Sequence, residues 1–206
     1  MFTRTAIRLA GPLLVATVAV ALTAGCTGVQ VNGNNLDSVA KHSAEVTVGT
    51  VKTTLKSGST VNAEAGKLTK IKLKDTTITV HCADATAKVD LFGDKGTVTF
   101  DADCGDVELG GTRYTAKLRN AADLNIVGID LTLTAAKVKK VELTGSETKL
   151  SAASATDLDI TGGTSTIDLG AVQSISIVGA GNTVTYGGQL TTPAVITGVG
   201  NTVNKK

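Results

Sequence analysis

From residue 107 onward the chain repeats itself every 17 residues, and this period leaves little choice of fold. Val107, Leu124, Val141, Leu158 and Ile175 form one column, and Leu109, Ile126, Leu143, Ile160 and Ile177 a second. A third column is pure glycine, at Gly111, Gly128, Gly145, Gly162 and Gly179. Columns held over five repeats are the signature of a solenoid, whose units bury their apolar faces only by stacking on one another. The columns extend upstream with a step of 18, to Val89, Leu91 and Gly93, then to Ile71, Leu73 and Asp75, and fade at Thr53, Leu55 and Ser57. Downstream a step of 19 reaches Ala194, Ile196 and Gly198, with Gly187, Gly188 and Pro193 in the longer loop.

Each repeat contains further apolar positions in strand alternation. One set is Val80, Val98, Ala116, Leu133, Leu150, Ile167, Val184 and Val203, and two residues on lie Cys82, Phe100, Leu118, Ala135, Ala152, Leu169 and Tyr186. A third set is Cys104, Ala121, Val138, Ala155 and Val172. Three short strands per repeat, with glycine at the first corner for positive φ or close approach, predict an all-β chain. The expected architecture is a single parallel β-solenoid of seven to eight coils of 17 to 19 residues, right-handed like other parallel β crossovers. Coils this short enclose little volume, which suits a chain with no Trp and 2% aromatic residues.

Ahead of the repeats lies an address. Met1 to Arg8 carries two arginines and no acid, and Leu9 to Leu22 is almost wholly apolar, the layout of an export signal. The apolar run is short for a spanning helix. It ends in Leu22-Thr23-Ala24-Gly25-Cys26, which resembles the lipobox of bacterial lipoproteins, with Thr23 where leucine is commonest. The resemblance implies a signal peptide over 1–25, a diacylglyceryl thioether with added acyl chains (palmitate-type) on Cys26, and anchoring at the outer face of the cytoplasmic membrane. Stable anchoring takes two or more chains. An ordinary secretory signal is the alternative. Residues 26–45, with Asn32-Gly33-Asn34-Asn35 at their centre and a lone His42, read as a tether, and 46–206 as the solenoid domain.

Gly181-Asn182-Thr183-Val184 and Gly200-Asn201-Thr202-Val203, each preceded by Ile-x-Gly, resemble a family of uncharacterised exported actinobacterial lipoproteins built on Gly-x-Gly-Asn-Thr-Val repeats. The likeness covers the last 30 residues and loosens upstream, where Ser165, Thr148 and Leu131 take the place of Asn182. The family implies a β-solenoid in the cell envelope and no reaction. Asparagines stacked on adjacent coils would form an amide ladder at a corner.

Once Arg4 and Arg8 are removed with the signal, 18 basic residues face 18 acidic ones, with no basic stripe to neutralise phosphates, so nucleic acid is not an expected partner. Cys82 and Cys104 are the only cysteines beyond the lipid site, and in an oxidising compartment they read as a disulfide across a corner, with two buried thiols as the alternative. His81 has outward parity and faces away from both. Asp90, Asp106, Glu108 and Asp123 gather on the outer face of the first strand, where a bridging Ca²⁺ or simple solvation would relieve their repulsion. Thr79, Thr97, Thr115, Thr132, Thr166, Thr183 and Thr202 line the outside of the second strand, as ordinary β-formers or as a recognition face.

The aromatics Phe92, Phe100, Tyr114 and Tyr186 are scattered and no acid–base pair shares a groove with them, so no catalytic residues, enzyme activity or cofactor are expected. The sequence points to a lipid-anchored, non-enzymatic envelope protein whose solenoid is a structural or interaction module, meeting the membrane through its lipid and an envelope protein, glycan or lipid through a face. The alternative is a carrier for a small envelope molecule or divalent metal.

Overall fold

The computed structural model describes residues 31–32, 43–48 and 51–206. The signal peptide, Cys26, His42 and most of the tether lie outside these residues. Every regular element is a β-strand: β1 (Val31–Asn32), β2 (Ser43–Val48), β3 (Val51–Leu55), β4 (Ser59–Ala63), β5 (Leu68–Cys82), β6 (Lys88–Phe100), β7 (Cys104–Lys117), β8 (Asn120–Ile129), β9 (Thr132–Ser146), β10 (Lys149–Gly163), β11 (Thr166–Leu169), β12 (Ser174–Ala180), β13 (Thr183–Tyr186), β14 (Val195–Thr197) and β15 (Thr202–Lys205). They wind into a parallel solenoid of about nine turns, against the seven to eight expected.

The register of the central coils follows the sequence columns. Leu124 pairs with Val107 and Val141, Leu158 with Val141 and Ile175, and Ile160 with Leu143 and Ile177. Leu133, Leu150, Ile167, Val184 and Val203 stack in the second column, and Cys104, Ala121, Val138 and Ala155 in the third. Burial alternates along the strands of the central coils, so β10 reads inward at Leu150, Ala152, Ala155, Leu158 and Ile160. A coil is one strand bent twice rather than three separate strands; β9 and β10 run 15 residues each and break only at one corner.

Two features of that corner explain its sequence. A Cβ on Gly145 or Gly162 would run into the carbonyl oxygen of the glycine one coil below, so the column is a backbone-to-backbone stack that admits no side chain. Two residues on, the chain turns through the left-handed region in every coil from β5 onward. The residues there are Asp75, Lys95, Arg113, Asp130, Glu147 and Thr164 at φ 44–60°, and then Gly181 and Gly200. Only the last two coils place glycine at this second position. The other six accept a conformation that costs a residue with a Cβ roughly 1–2 kcal/mol.

The upstream register differs from the expected step. Ile71 pairs with Leu91 and Leu73 with Gly93, a step of 20 residues, and Ile78 and Val80 pair with Val98 and Phe100. The two extra residues sit in the turn after Cys82, where the backbone N–H and hydroxyl of Thr86 both donate to Asp84 Oδ1, at 2.7 and 2.6 Å. A two-residue slip preserves which side chains face inward, so the apolar pattern alone fits either step.

The first coil is also built differently. Thr53 and Leu55 do not stack directly on β5; β2 lies between, antiparallel to both, with Val46 paired to Thr53 and Ile71, and Ala44 paired to Leu55 and Leu73. β4 stacks directly and in parallel on β5, while β1 adds antiparallel to β4, Val31 opposite Val61. Structure therefore reaches into the segment expected to be a tether, at Val31–Asn32 and from Ser43. The antiparallel strands occupy the edges that parallel coils would otherwise leave bare.

The core is a column of small aliphatic side chains with two rings, Phe100 and Tyr114. Tyr114 occupies the corner position taken by Leu131, Thr148 and Ser165 in later coils. Its ring fits because its partner Gly96 and nearby Gly93 have no side chains; a Cβ on Gly93 would sit 3.0 Å from the Tyr114 ring.

Candidate interaction faces

The second strands present a flat outer face, and the register puts threonines in two adjacent columns. The first is Thr77, Thr97, Thr115, Thr132, Lys149, Thr166, Thr183 and Thr202, every neighbour paired to the next. Thr79 does not belong to it. Because of the 20-residue step, Thr79 pairs with Thr99 and heads the second column, which continues through Lys117, Thr134, Ser151, Asp168, Thr185 and Asn204. All seven threonines of the sequence-derived set face outward and are partly or fully exposed. Neighbouring strands in such a ladder lie about 4.8 Å apart, so the hydroxyls and methyls form a regular grid fixed by backbone hydrogen bonds. The charged side chains on it are sparse, and Lys206 pairs with Asp168.

The outer face of the first strands is ionic. Asp90 stands beside Glu108, and Asp106 beside Asp123, as the sequence columns require. The four carboxylates do not converge on one point: among the described residues no group of three or more His, Cys, Asp or Glu side chains is placed to hold a metal. Lysines meet them instead. Lys88 Nζ lies 2.7 Å from Asp106, Lys70 3.9 Å from Asp90, and Lys140 pairs with Glu142 in a shallow groove that Asp123 also lines. Hydrogen bonding to Asp106 raises the Lys88 pKa above its usual value, and that to Glu142 does the same for Lys140. Lys88 and Lys70 thus place countercharge beside Asp106 and Asp90.

Near the αL corner, Asp94 accepts from Arg113 at 2.9 Å and from Thr112 at 3.1 Å, and the Arg113 bond foremost holds its carboxyl below the ordinary carboxylate range. His81 points outward, as its parity requires, and its Nδ1 lies 2.8 Å from Asp101 Oδ1. Sequence reasoning did not find this pair, because it spans the same 20-residue step that the columns concealed.

Cys82 and Cys104 are bonded, with Cα atoms 5.4 Å apart and both side chains buried. The bond ties the end of β5 to the start of β7, past the end of β6, and so staples the coils where the register changes. At the opposite end the expected amide ladder is present: Asn182 and Asn201 stack inside the corner, with Ser165 and Thr148 continuing the series upstream.

No protein-family model, curated protein or solved structure matches the chain. The arrangement of its own residues is therefore the basis for a functional reading.

Proposed function

We propose that this protein is a lipid-anchored, non-enzymatic component of a cell envelope, held at the outer face of the cytoplasmic membrane by Cys26, whose rigid solenoid serves as a structural or interaction module. Its likeness to the exported Gly-x-Gly-Asn-Thr-Val lipoproteins belongs to the same proposal. The observation that carries the reading is the threonine grid. A partner meeting this face finds hydroxyl and methyl groups at fixed spacing over most of the solenoid's length, with little side-chain entropy to lose on contact. The core supports a scaffold over a carrier, because its columns are filled from coil to coil by Val, Ile, Leu and Ala.

The test has two arms. Cells expressing the full chain are labelled with a palmitate analogue and fractionated; label on the wild type and none on Cys26→Ala is expected, and an unlabelled wild type contradicts anchoring. A photo-crosslinking residue at Thr132 is then compared with one at Lys139. A discrete adduct specific to position 132 is expected, and equal, diffuse labelling at both positions contradicts the face.

A further inference from the structure

The charge of the solenoid is polarised along its axis. Residues 43–75 carry six lysines, at 52, 56, 67, 70, 72 and 74, and three acids, Glu45, Glu64 and Asp75, whereas residues 76–206 carry 11 basic and 14 acidic residues. Three of the lysines, Lys70, Lys72 and Lys74, alternate along the outer face of β5 and are exposed. Beside Lys72, on the next coil, stands Phe92, the most exposed aromatic ring in the described residues at 62%. Its ring lies against the bare backbone of Gly110, 2.9 Å from where a Cβ there would be, so it rests on the face instead of turning inward. Leu68, also exposed, extends the apolar contribution at the start of β5. Four acids border this row: Glu45 stands opposite Lys72 on β2 and Asp75 follows Lys74, both engaged, while Asp94 is held by Arg113 and Thr112 and Asp90 meets Lys70 only at 3.9 Å.

Lysines in a row around an exposed ring and a leucine suit a surface that is anionic outside and apolar just beneath, which describes a phospholipid headgroup layer. The position agrees. β1 ties Val31 to the first coil, and Cys26 precedes Val31 by five residues, so chain length alone keeps a lipid on Cys26 within about 18 Å of that strand. We propose that Leu68, Lys70, Lys72, Lys74 and Phe92 form a second membrane contact, specific for anionic phospholipid, that lays the amino-terminal coils against the bilayer and leaves the threonine grid of the later coils free. This inference rests on the anchoring reading for its geometry, but its chemistry is separable from it. Near an anionic surface each lysine contributes about fivefold to partitioning, so the three together contribute roughly a hundredfold.

The natural chain has no Trp, so Phe92→Trp supplies a single reporter in the full-length protein purified from an exporting host. Intact mass reports separately whether Cys26 is acylated. With vesicles of equal phosphatidylglycerol and phosphatidylcholine at low salt, the indole emission is expected to shift blue and to be quenched by brominated lipid. The shift is expected to fade in 0.5 M NaCl, to be absent with pure phosphatidylcholine, and to need roughly a hundredfold more lipid when Lys70, Lys72 and Lys74 are changed to Gln, in a variant that melts like its parent. A non-acylated protein that still shows the shift overturns the anchor and keeps the contact. An acylated protein whose indole ignores lipid charge overturns the contact and keeps the anchor. A shift with soluble polyphosphate and none with vesicles overturns the assignment to lipid.

Discussion

The side chain of Asn201 reaches one coil back and accepts the backbone N–H of Asn182 at 3.0 Å, while its own amide donates to the carbonyl of Gly179 at 2.7 Å. Asn182 repeats the arrangement, accepting from Ser165 N–H at 3.1 Å and donating to Gly162 at 3.0 Å. Each asparagine thus stands in for a strand at the corner where the ladder is broken, and it satisfies backbone groups that would otherwise be buried unpaired. Replacing Asn182 with Ala removes these two bonds and the one its amide donates to Asn201 Oδ1 at 3.1 Å, and is expected to cost about 2–3 kcal/mol in urea unfolding. A loss below about 0.5 kcal/mol would mean the ladder contributes no net stability.

The two corner positions respond in opposite directions. Gly145→Ala places a methyl against the Gly128 carbonyl and is expected to destabilise by about 3 kcal/mol or more. Thr164→Gly relieves a β-branched residue held at φ 58° and, after the entropic cost of glycine, is expected to gain about 0.5–1 kcal/mol. Denaturant midpoints check both, and a destabilised Thr164→Gly would show that its side chain makes a contact worth more than the strain.

The disulfide closes 22 residues of chain. Changing Cys82 and Cys104 to Ala is expected to lower stability by about 3 kcal/mol. Because a solenoid is held by nearest-neighbour contacts, the loss should be local. Hydrogen exchange is expected to quicken in β4–β6 and to stay slow across residues 107–177, and a uniform rise over the whole chain would contradict this local coupling.

Legibility in the sequence followed the repeat. The central columns, the glycine corner, the asparagine ladder and the outward threonines were readable because stacking repeats a residue's environment at every coil, so a rule visible once is visible five times. The 20-residue step was not readable, since Ile71 on Val89 and Ile71 on Leu91 bury the same side chains. The discriminating signal was local: Asp84-x-Thr86 marks a turn that lengthens one loop by two residues. β2 between Thr53 and Ile71 was equally concealed, because Val46 and Ala44 present the alternation of a coil strand whichever way the strand runs. The left-handed column is not legible because Lys95, Arg113, Asp130 and Glu147 give no compositional hint of it. On the acidic face the carboxylates are legible as neighbouring columns, whereas Lys88 and Lys140 approach their partners only once the strands are in register.

Four exposed contacts, three of them ion pairs, set the pH dependence of stability. The Asp84 and Asp94 carboxyls are held below their ordinary 3.8, chiefly by the Thr86 hydroxyl and by Arg113 respectively, so their contribution is present above that value and is lost as pH falls through the depressed ones. Lys88 and Lys140 are raised above 10.5 by their carboxylate partners, so their contribution is full below that value and is lost as pH rises past it. All four are solvent-screened and individually small. The melting temperature is expected to be flat between about pH 5 and 9 and to decline only outside that range. A transition near neutrality would require a titrating group beyond these contacts.

From β5 onward the coils stack in parallel and in register, and a distance along one column measures it. Thr97 and Thr202 are six coil steps apart in a single column. At about 4.8 Å per step, spin labels at these positions should be separated by roughly 29 Å, give or take the label linkers. Pulsed electron paramagnetic resonance is expected to return one narrow distribution at that distance, stretching no further when label pairs are moved to Thr115 and Thr202 but shortening by one step. A broad distribution, or a distance that does not shorten by one step, would contradict the solenoid register on which the proposed faces depend.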